Sequence, residues 1–116
     1  MKTSSAKQKG RLHQQWTRDQ ILKAFPDLEK DDVRSLSMGA GGEDILLSPK
    51  AREYFPFSVE CKSLASFAFY KHLDQAKTNA PEGVEPLLVC KANRKNPVVI
   101  VDAEYFFNMI GKINEL

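Results

Sequence analysis

The sequence predicts an α/β or α+β protein in which helices flank a mixed central sheet. Five short segments have the apolar or alternating pattern of β-strands, and they fall into a group of three followed by a group of two. Three longer segments with helical apolar periodicity precede, separate and follow these groups. Helix, three strands, helix, two strands, helix is the order expected when helices cover both faces of a sheet.

The composition is that of one folded domain. The chain has 116 residues, of which 42% are hydrophobic, so it can build a single core and wholesale disorder is excluded. A formal net charge of +2 does not by itself indicate a polyanionic partner. Cys61 and Cys90 lack a C-x-x-C spacing, so we expect two buried free thiols rather than a zinc site. No stretch is long enough to span a bilayer and no secretory signal is visible, so we expect a cytoplasmic protein.

The N-terminal residues 1–9 are polar and basic and have no periodicity. They predict a flexible arm that precedes a single domain of residues 10–116. A helix is expected from about Gly10 to Phe25, where Pro26 ends it. The basic residues in and beside the arm all come before the first acid, Asp19, and such an arm either contacts nucleic acid or serves as a solubilising tail. The candidate contacts are Lys7, Lys9 and Arg11.

A glycine-rich stretch separates the first two predicted strands. The strands are Val33–Ser37 and Asp44–Ser48, and Met38–Gly42 lies between them. Glycine permits unusual backbone angles and the close approach of another group, so the stretch can deliver the acids that follow it, Glu43 and Asp44, to a site. It is not a Walker loop, because no Gly-Lys-Ser/Thr follows.

The third predicted strand, Phe57–Lys62, raises the question of function. Apolar and polar residues alternate along it, so its two faces differ. The apolar face consists of Phe57, Val59 and Cys61, and the polar face of Ser58, Glu60 and Lys62. Burying a carboxylate beside an ammonium group costs free energy unless something compensates, and a bound metal ion is one such compensation. A surface salt bridge of little energetic worth is the alternative.

The second and third strands predict a pair of facing carboxylates. If these strands pair antiparallel around a connection with a short helical turn, a turn centred near Arg52 places Asp44 opposite Glu60. Directly opposed residues have Cβ atoms about 4.5–5.5 Å apart, and carboxylates that close repel each other unless a cation lies between them. Mg²⁺ commonly binds one or two carboxylates and keeps waters. Lys62 would then orient a water or neutralise charge on a phosphate oxygen, and the Cys61 carbonyl could also reach the ion.

The second half of the chain predicts the remaining helices and strands. A helix is expected from about Ser66 to Asn79. Pro86–Lys91 is nearly continuous in apolar residues, which favours a central strand, and Val98–Val101 is expected to be buried as well. Asp102 can cap a final helix. The inward positions are expected to be Ala65, Phe69, Leu73 and Ala76 in the first of these helices, and Phe106, Met109, Ile110 and Ile113 in the second.

Basic residues near the fourth strand are candidate contacts to a phosphate backbone. Lys91 alternates with Val89 and is expected on the same face as Lys62, with a solvated strand end as the alternative. Arg94 and Lys95 lie in the turn after this strand, where they would add affinity without reading sequence.

At Asp44 and at Glu60-Cys61-Lys62 the chain resembles the PD-(D/E)XK nuclease superfamily, whose signature is D…(D/E)-x-K. The order of the elements also resembles the restriction-endonuclease-like αβββαβ core, over about residues 10–110. Within that superfamily the chain is most similar to small phage-type endonucleases, including Holliday junction resolvase-like proteins.

The resemblance implies hydrolysis of DNA phosphodiester bonds with Mg²⁺, or with Mn²⁺ in its place, either in branched DNA such as a Holliday junction or by nicking. It implies that Asp44 and Glu60 hold the ion and that Lys62 positions the attacking water. It also implies that Gln75 faces the site from a helix. A prokaryotic or phage-infected cell is the implied setting, and two-fold symmetric junctions would suit a homodimer.

Two departures from the superfamily pattern bear on this assignment. Many relatives carry a glutamate on the first helix, where this chain has Gln14 and Gln15, and the residue before Asp44 is Glu43 rather than proline. Gln15 and Glu43 are therefore candidates for an additional part of the site. The alternatives to a DNA endonuclease are a catalytically inactive nuclease fold, used as a DNA-binding or protein-interaction module, and a nuclease that acts on RNA.

Overall fold

The protein is a mixed α and β structure, as the order of the segments predicts. The computed structural model describes residues 3–36, 41–64 and 68–114. Its helices are α1 (Thr3–Ala24), α2 (Pro49–Tyr54), α3 (Phe69–Asn79) and α4 (Ala103–Asn114), with a short 3₁₀ helix at Lys30–Asp32. Its strands are β1 (Val33–Ser35), β2 (Ile45–Leu47), β3 (Phe57–Leu64), β4 (Glu85–Ala92) and β5 (Val98–Ile100).

Strand β4 is the centre of a three-stranded mixed sheet. It pairs parallel with β3, so that Glu60 lies beside Leu88, and antiparallel with β5, so that Val89 lies beside Val99. Parallel neighbours need a crossover connection, and α3 supplies it between β3 and β4. The central position of β4 confirms the interpretation of its apolar run.

The expected ladder between the second and third strands is replaced by a different pairing. Strand β2 pairs antiparallel with β1, and a single backbone hydrogen bond, from the Asp44 N–H to the Val59 carbonyl at 3.0 Å, joins the start of β2 to β3. The connection between β2 and β3 is the six-residue helix α2, whose N-terminus is capped by Ser48 accepting a hydrogen bond from the Ala51 N–H. Because this helix occupies the connection, the two strands meet only near Asp44.

The core lies between α1 and one face of β3 and β4. Ile21 of α1 packs in one buried cluster with Val59 and Val89, and β1 and β2 add Val33 and Ile45 to it. Strand β3 is buried on both faces, since Ser58 and Glu60 on its other side are also shielded from solvent. The polar face of β3 is therefore an interior surface.

Helix α1 begins at Thr3, earlier than predicted. Residues 3–9, expected to form a flexible arm, are helical, and Met1 and Lys2 lie outside the described residues. The stretch from Thr3 to Lys9 contains neither glycine nor proline and is rich in good helix formers, which allows the helix to extend through it.

Strand β5 is an edge strand, and the prediction that it is buried is wrong. Val98 and Val99 are exposed, because β5 pairs with β4 on one side only. On α3, Ala76 is buried as expected, whereas Phe69 is exposed. Ala65 lies outside the described part of the chain. Of the helices that the structure describes, none combines the length and apolar character needed to cross a bilayer.

Helix α4 has the predicted cap and a different apolar face. The Asp102 carboxylate accepts a hydrogen bond from the Tyr105 N–H at 2.9 Å, which confirms the cap. Tyr105 and Met109 pack against the core. Three of the four positions expected to face inward are exposed instead, namely Phe106, Ile110 and Ile113.

Candidate active site

Asp44 lies against strand β3 beside Glu60. Its backbone N–H donates to the Val59 carbonyl, and its Oδ2 accepts a hydrogen bond from the Cys61 N–H at 2.8 Å. These contacts fall on the residues before and after Glu60. Asp44 is thus placed next to Glu60 along β3 through one backbone contact and one side-chain contact, without the β2–β3 ladder from which facing carboxylates were predicted.

The Asp44 carboxylate is poorly compensated in its ionised form. Burial raises its pKa to about 6, against the lowering effect of the hydrogen bond from the Cys61 N–H. The negative charge of Glu60 raises the pKa further, and the positive charge of Lys62 lowers it. A second cation near Asp44 would stabilise the carboxylate that burial now disfavours.

Glu60 projects from β3 toward α3 and is only 4% exposed. Its Oε1 accepts a hydrogen bond from the Asn79 side-chain amide at 3.2 Å, and its Oε2 lies 3.6 Å from the Lys62 ammonium nitrogen. Lys62 is also largely covered. The strand therefore buries a carboxylate and an ammonium group side by side, which argues against a surface salt bridge.

Lys91 does not share a face with Lys62. The parallel register aligns Lys62 with Cys90 and Ser63 with Lys91, so the two lysines extend from opposite faces of the sheet. The expectation that they lie on one face is wrong. Lys91 follows Cys90, the residue aligned with Lys62, and successive residues of a strand point to opposite faces. Lys91 lies instead on the α1 side, where its charge lowers the pKa of His13.

His13 anchors α1 to the sheet. Its Nε2 lies 2.9 Å from the Val89 carbonyl oxygen and must donate the proton, since a carbonyl only accepts. Burial lowers the pKa of His13, which favours the neutral ring. Its Nδ1 is buried without a hydrogen-bond partner among the described residues. His13 also stacks on Trp16, with ring centroids 6.2 Å apart, so its role is to help pack α1 against the sheet.

Asn79, rather than Gln75, makes the helical contact to the acid pair. Gln75 is exposed on α3, and Asn79, one turn later, reaches Glu60. Asn79 ends the helix, directly before Ala80 and Pro81, and no pattern in the sequence distinguishes it from a loop residue. Only the packing of α3 on β3 selects it.

Glu43 is already engaged by Arg52. The guanidinium donates one hydrogen bond to the carboxylate, from Nη2 to Oε2 at 2.9 Å, while Nη1 lies 2.8 Å from Oε1 and donates to the Phe57 carbonyl. Glu43 is therefore not a free ligand of an additional site. Arg52 was predicted only as the centre of the connection, and its partner depends on tertiary structure that the sequence pattern does not reveal.

Helix α1 has amides, not acids, at the positions where an additional acid of the site was sought. Gln14 is buried and Gln15 is partly buried. Thr17, also buried, donates a hydrogen bond to the His13 carbonyl at 2.9 Å and lies near the Cys61 thiol. Burial raises the pKa of that thiol to about 12 and keeps it protonated. Within residues 3–36, 41–64 and 68–114, no three or more His, Cys, Asp or Glu residues group in a way that could hold a metal ion. The acids at the site are the pair Asp44 and Glu60.

Lys9 of α1 lies beside the basic residues of the β4–β5 turn. The Lys9 ammonium nitrogen is 3.4 Å from the Asn93 side-chain oxygen, one helical turn from the contact of His13 with Val89. Arg94 has a φ of 62°, which turns the chain tightly here. We call this the basic surface; its exposed members are Lys9, Arg94 and Lys95. Lys7 and Arg11 are also exposed, but each lies two residues from Lys9 and therefore on the opposite side of α1. The candidate Lys9 at the N-terminus and the candidates in the β4–β5 turn, which were predicted separately, thus lie next to each other.

Comparison with protein-family models, with curated proteins and with solved structures found no match for this chain. Its function is therefore argued from its own residues.

Proposed function

We propose that this protein is a metal-dependent DNA endonuclease that hydrolyses phosphodiester bonds, acting on branched DNA or by nicking. The proposal rests on one observation: the partly buried Asp44 carboxylate is held against strand β3 by the Cys61 N–H, next to the buried Glu60 and to Lys62, and the charges of both shift its pKa. This is the acid-acid-lysine set of the PD-(D/E)XK resemblance, and the burial of Asp44 disfavours its ionised form unless a cation is present.

The donor set fits a hard divalent cation. Carboxylate oxygens are the ligands that Mg²⁺ prefers, and a site with two carboxylates leaves room for waters. Asp44 and Glu60 would hold the ion, which when bound would polarise a phosphoryl oxygen and lower the pKa of water. The hydrogen bonds from the Cys61 N–H and from the Asn79 amide orient the two carboxylates before an ion arrives.

Lys62 supplies a positive charge next to the acid pair. Its ammonium nitrogen is 3.6 Å from a Glu60 oxygen, beyond ordinary hydrogen-bond distance, so the group can shift toward a phosphate without breaking a short bond. There it would neutralise charge on a phosphoryl oxygen or orient a water. Lys62 and Glu60 come from the same strand, which holds them at a set spacing, and the hydrogen bond from the Cys61 N–H fixes Asp44 to that strand.

The basic surface suits the proposed substrate. Its basic side chains are exposed on α1 and on the β4–β5 turn, where they can contact phosphates of the nucleic-acid backbone. Such contacts position a nucleic acid without reading its sequence, which fits an enzyme that selects DNA by structure.

A non-catalytic nucleic-acid-binding module is the second candidate, and one observation favours it. Both carboxylates already have partners within the chain, since Cys61 donates to Asp44 while Asn79 and Lys62 contact Glu60. Carboxylates that already have partners within the chain would keep their arrangement without a metal ion, and therefore also in a protein that has lost catalysis. The two candidates differ in whether DNA is cut.

The test is cleavage of branched, nicked and linear duplex DNA with Mg²⁺, with Mn²⁺ and with EDTA. The Glu60→Gln variant keeps the shape of the side chain and removes its charge, and the exposed Glu82→Gln is the matched control. We expect metal-dependent cleavage by the wild type and by Glu82→Gln, and none by Glu60→Gln. DNA binding without cleavage in any divalent ion would favour the second candidate, and cleavage confined to RNA would reassign the substrate.

A further inference from the structure

Helix α4 exposes an apolar ridge to solvent. The ridge consists of Phe106, Phe107, Ile110 and Ile113, whose spacing of three and four residues places them along one side of the helix. Phe107 is 70% exposed and Ile113 is 56% exposed. The four side chains leave on the order of 400 Å² of apolar surface in water, about the size of the largest apolar patch of a typical soluble monomer, and such a patch is often functional.

An apolar groove lies beside the ridge. It is a cavity of about 770 Å³ between α2, the start of β3 and α4. Aromatic rings line it in a continuous chain, in which Phe25 contacts Tyr54 and Phe55, Phe55 contacts Phe57, and Phe57 contacts Tyr105. Ile113 belongs both to the ridge and to the lining of the groove, so the two features form one surface.

We propose that this surface binds a second copy of the same chain, with the α4 ridge of each copy seated in the aromatic groove of the other. A two-fold axis makes an interface from one patch used twice, and a patch that contains both a projection and a recess of matching chemistry can pack against its own copy. The ridge and the groove meet that condition at Ile113. The ridge alone supplies about half of the roughly 800 Å² per partner that a standard interface buries, and the groove and its rim add to it.

The rim of the groove carries one acid and one base, so the rims of two copies can be complementary in charge. Glu53 on α2 and Lys112 on α4 border the groove, and both are exposed. In a two-fold arrangement the Glu53 of one copy faces the Lys112 of the other, and the reciprocal pair forms at the same time. The proposal uses none of the residues of the nuclease site and stands independently of that activity.

The first measurement is the mass in solution by sedimentation equilibrium. We expect twice the chain mass of 13.1 kDa for the wild type. Phe107→Glu and Ile110→Glu should each raise the dissociation constant at least about 30-fold, the effect of a hot-spot residue. Tyr70→Glu, an exposed aromatic on α3, is the control and should leave it unchanged. Circular dichroism checks that each variant is folded.

The second measurement uses charge reversal and needs no change to the apolar surface. Chains with Glu53→Lys and with Lys112→Glu should each self-associate several-fold more weakly than the wild type, because like charges then meet across the axis. Mixed together, they should form heterodimers in preference to either homodimer, an outcome that a pair within one chain would not produce.

The proposal is overturned if the wild type stays monomeric up to hundreds of micromolar. It is also overturned if the dimer survives Phe107→Glu, or if Tyr70→Glu disrupts it equally. Sedimentation with vesicles of anionic lipid that requires the ridge, in a protein that stays monomeric, would assign the ridge to a membrane surface instead.

Discussion

The Asp44 carboxylate accepts a hydrogen bond of 2.8 Å from the backbone N–H of Cys61, the residue between Glu60 and Lys62. One main-chain donor therefore holds the first acid against the strand that carries the second acid and the lysine. The carboxylate remains partly desolvated, and burial raises its pKa to about 6 despite this bond. A buried acid that is oriented but under-compensated is expected where a protein trades stability for function.

Replacing Asp44 with asparagine should abolish cleavage and stabilise the metal-free protein. The asparagine oxygen can still accept from the Cys61 N–H, while the cost of burying a charge disappears. After allowance for solvent screening of a group that is partly exposed, we expect a gain of about 1 kcal/mol at pH 8 in EDTA. Urea denaturation measures it, with the exposed Asp74→Asn as control. A loss of stability in Asp44→Asn would show that the carboxylate is needed for folding.

The same residue predicts a pH dependence. Its pKa is higher in the folded protein than the ordinary value of 3.8, so folding favours the protonated acid. Its contribution to stability is therefore greatest below about pH 4 and is lost as the pH rises through about 6. The stability difference between wild type and Asp44→Asn should be present at pH 8 and vanish near pH 4. A difference that grows on acidification would have the wrong sign.

Lys62→Met should reduce cleavage far more than it reduces stability. The methionine keeps most of the length of the side chain and removes its charge, which leaves Glu60 with Asn79 as its remaining partner. We expect a loss of about 1–2 kcal/mol in unfolding free energy and of about 10²–10³ in cleavage rate, as for removal of one group that stabilises a transition-state charge. Lys71→Met, exposed on α3, is the control. Near-normal cleavage by Lys62→Met would remove this residue from the mechanism.

The basic surface should govern the salt dependence of DNA binding. Lys9→Ala and Lys95→Ala should each weaken binding at low salt to all duplexes alike and reduce the slope of log K against log salt by about 0.9 for each phosphate that the protein no longer neutralises. Lys23→Ala, near the other end of α1, should leave the slope unchanged. Fluorescence anisotropy over a range of NaCl concentrations measures the slopes. Equal slopes for the wild type and all three variants would place the DNA elsewhere.

Local patterns predicted most of the elements and the placement of Asp44 beside the strand that carries Glu60. Alternation along Phe57–Lys62 and the two prolines that bracket the preceding connection carry that information within a short stretch of chain. The face of Lys91 could not be predicted in the same way, because it depends on a parallel register with β3.

Side-chain contacts between elements that are brought together by tertiary packing likewise could not be predicted from the sequence patterns. Asn79 reaches Glu60 only because α3 crosses β3 where it does, and Arg52 reaches Glu43 only because α2 folds back beside the start of β2. The exposed Val99 shows the same limit, since an apolar strand looks alike in the sequence whether it has one neighbour or two.

The central claim is that Asp44 and Glu60 together hold a divalent cation, and Mn²⁺ binding followed by electron paramagnetic resonance tests it without depending on the choice of DNA. We predict saturable binding to the wild type, and its loss in folded Asp44→Asn and in folded Glu60→Gln, with Glu82→Gln unchanged. Binding of Mn²⁺ to both site variants with the affinity of the wild type would contradict the claim.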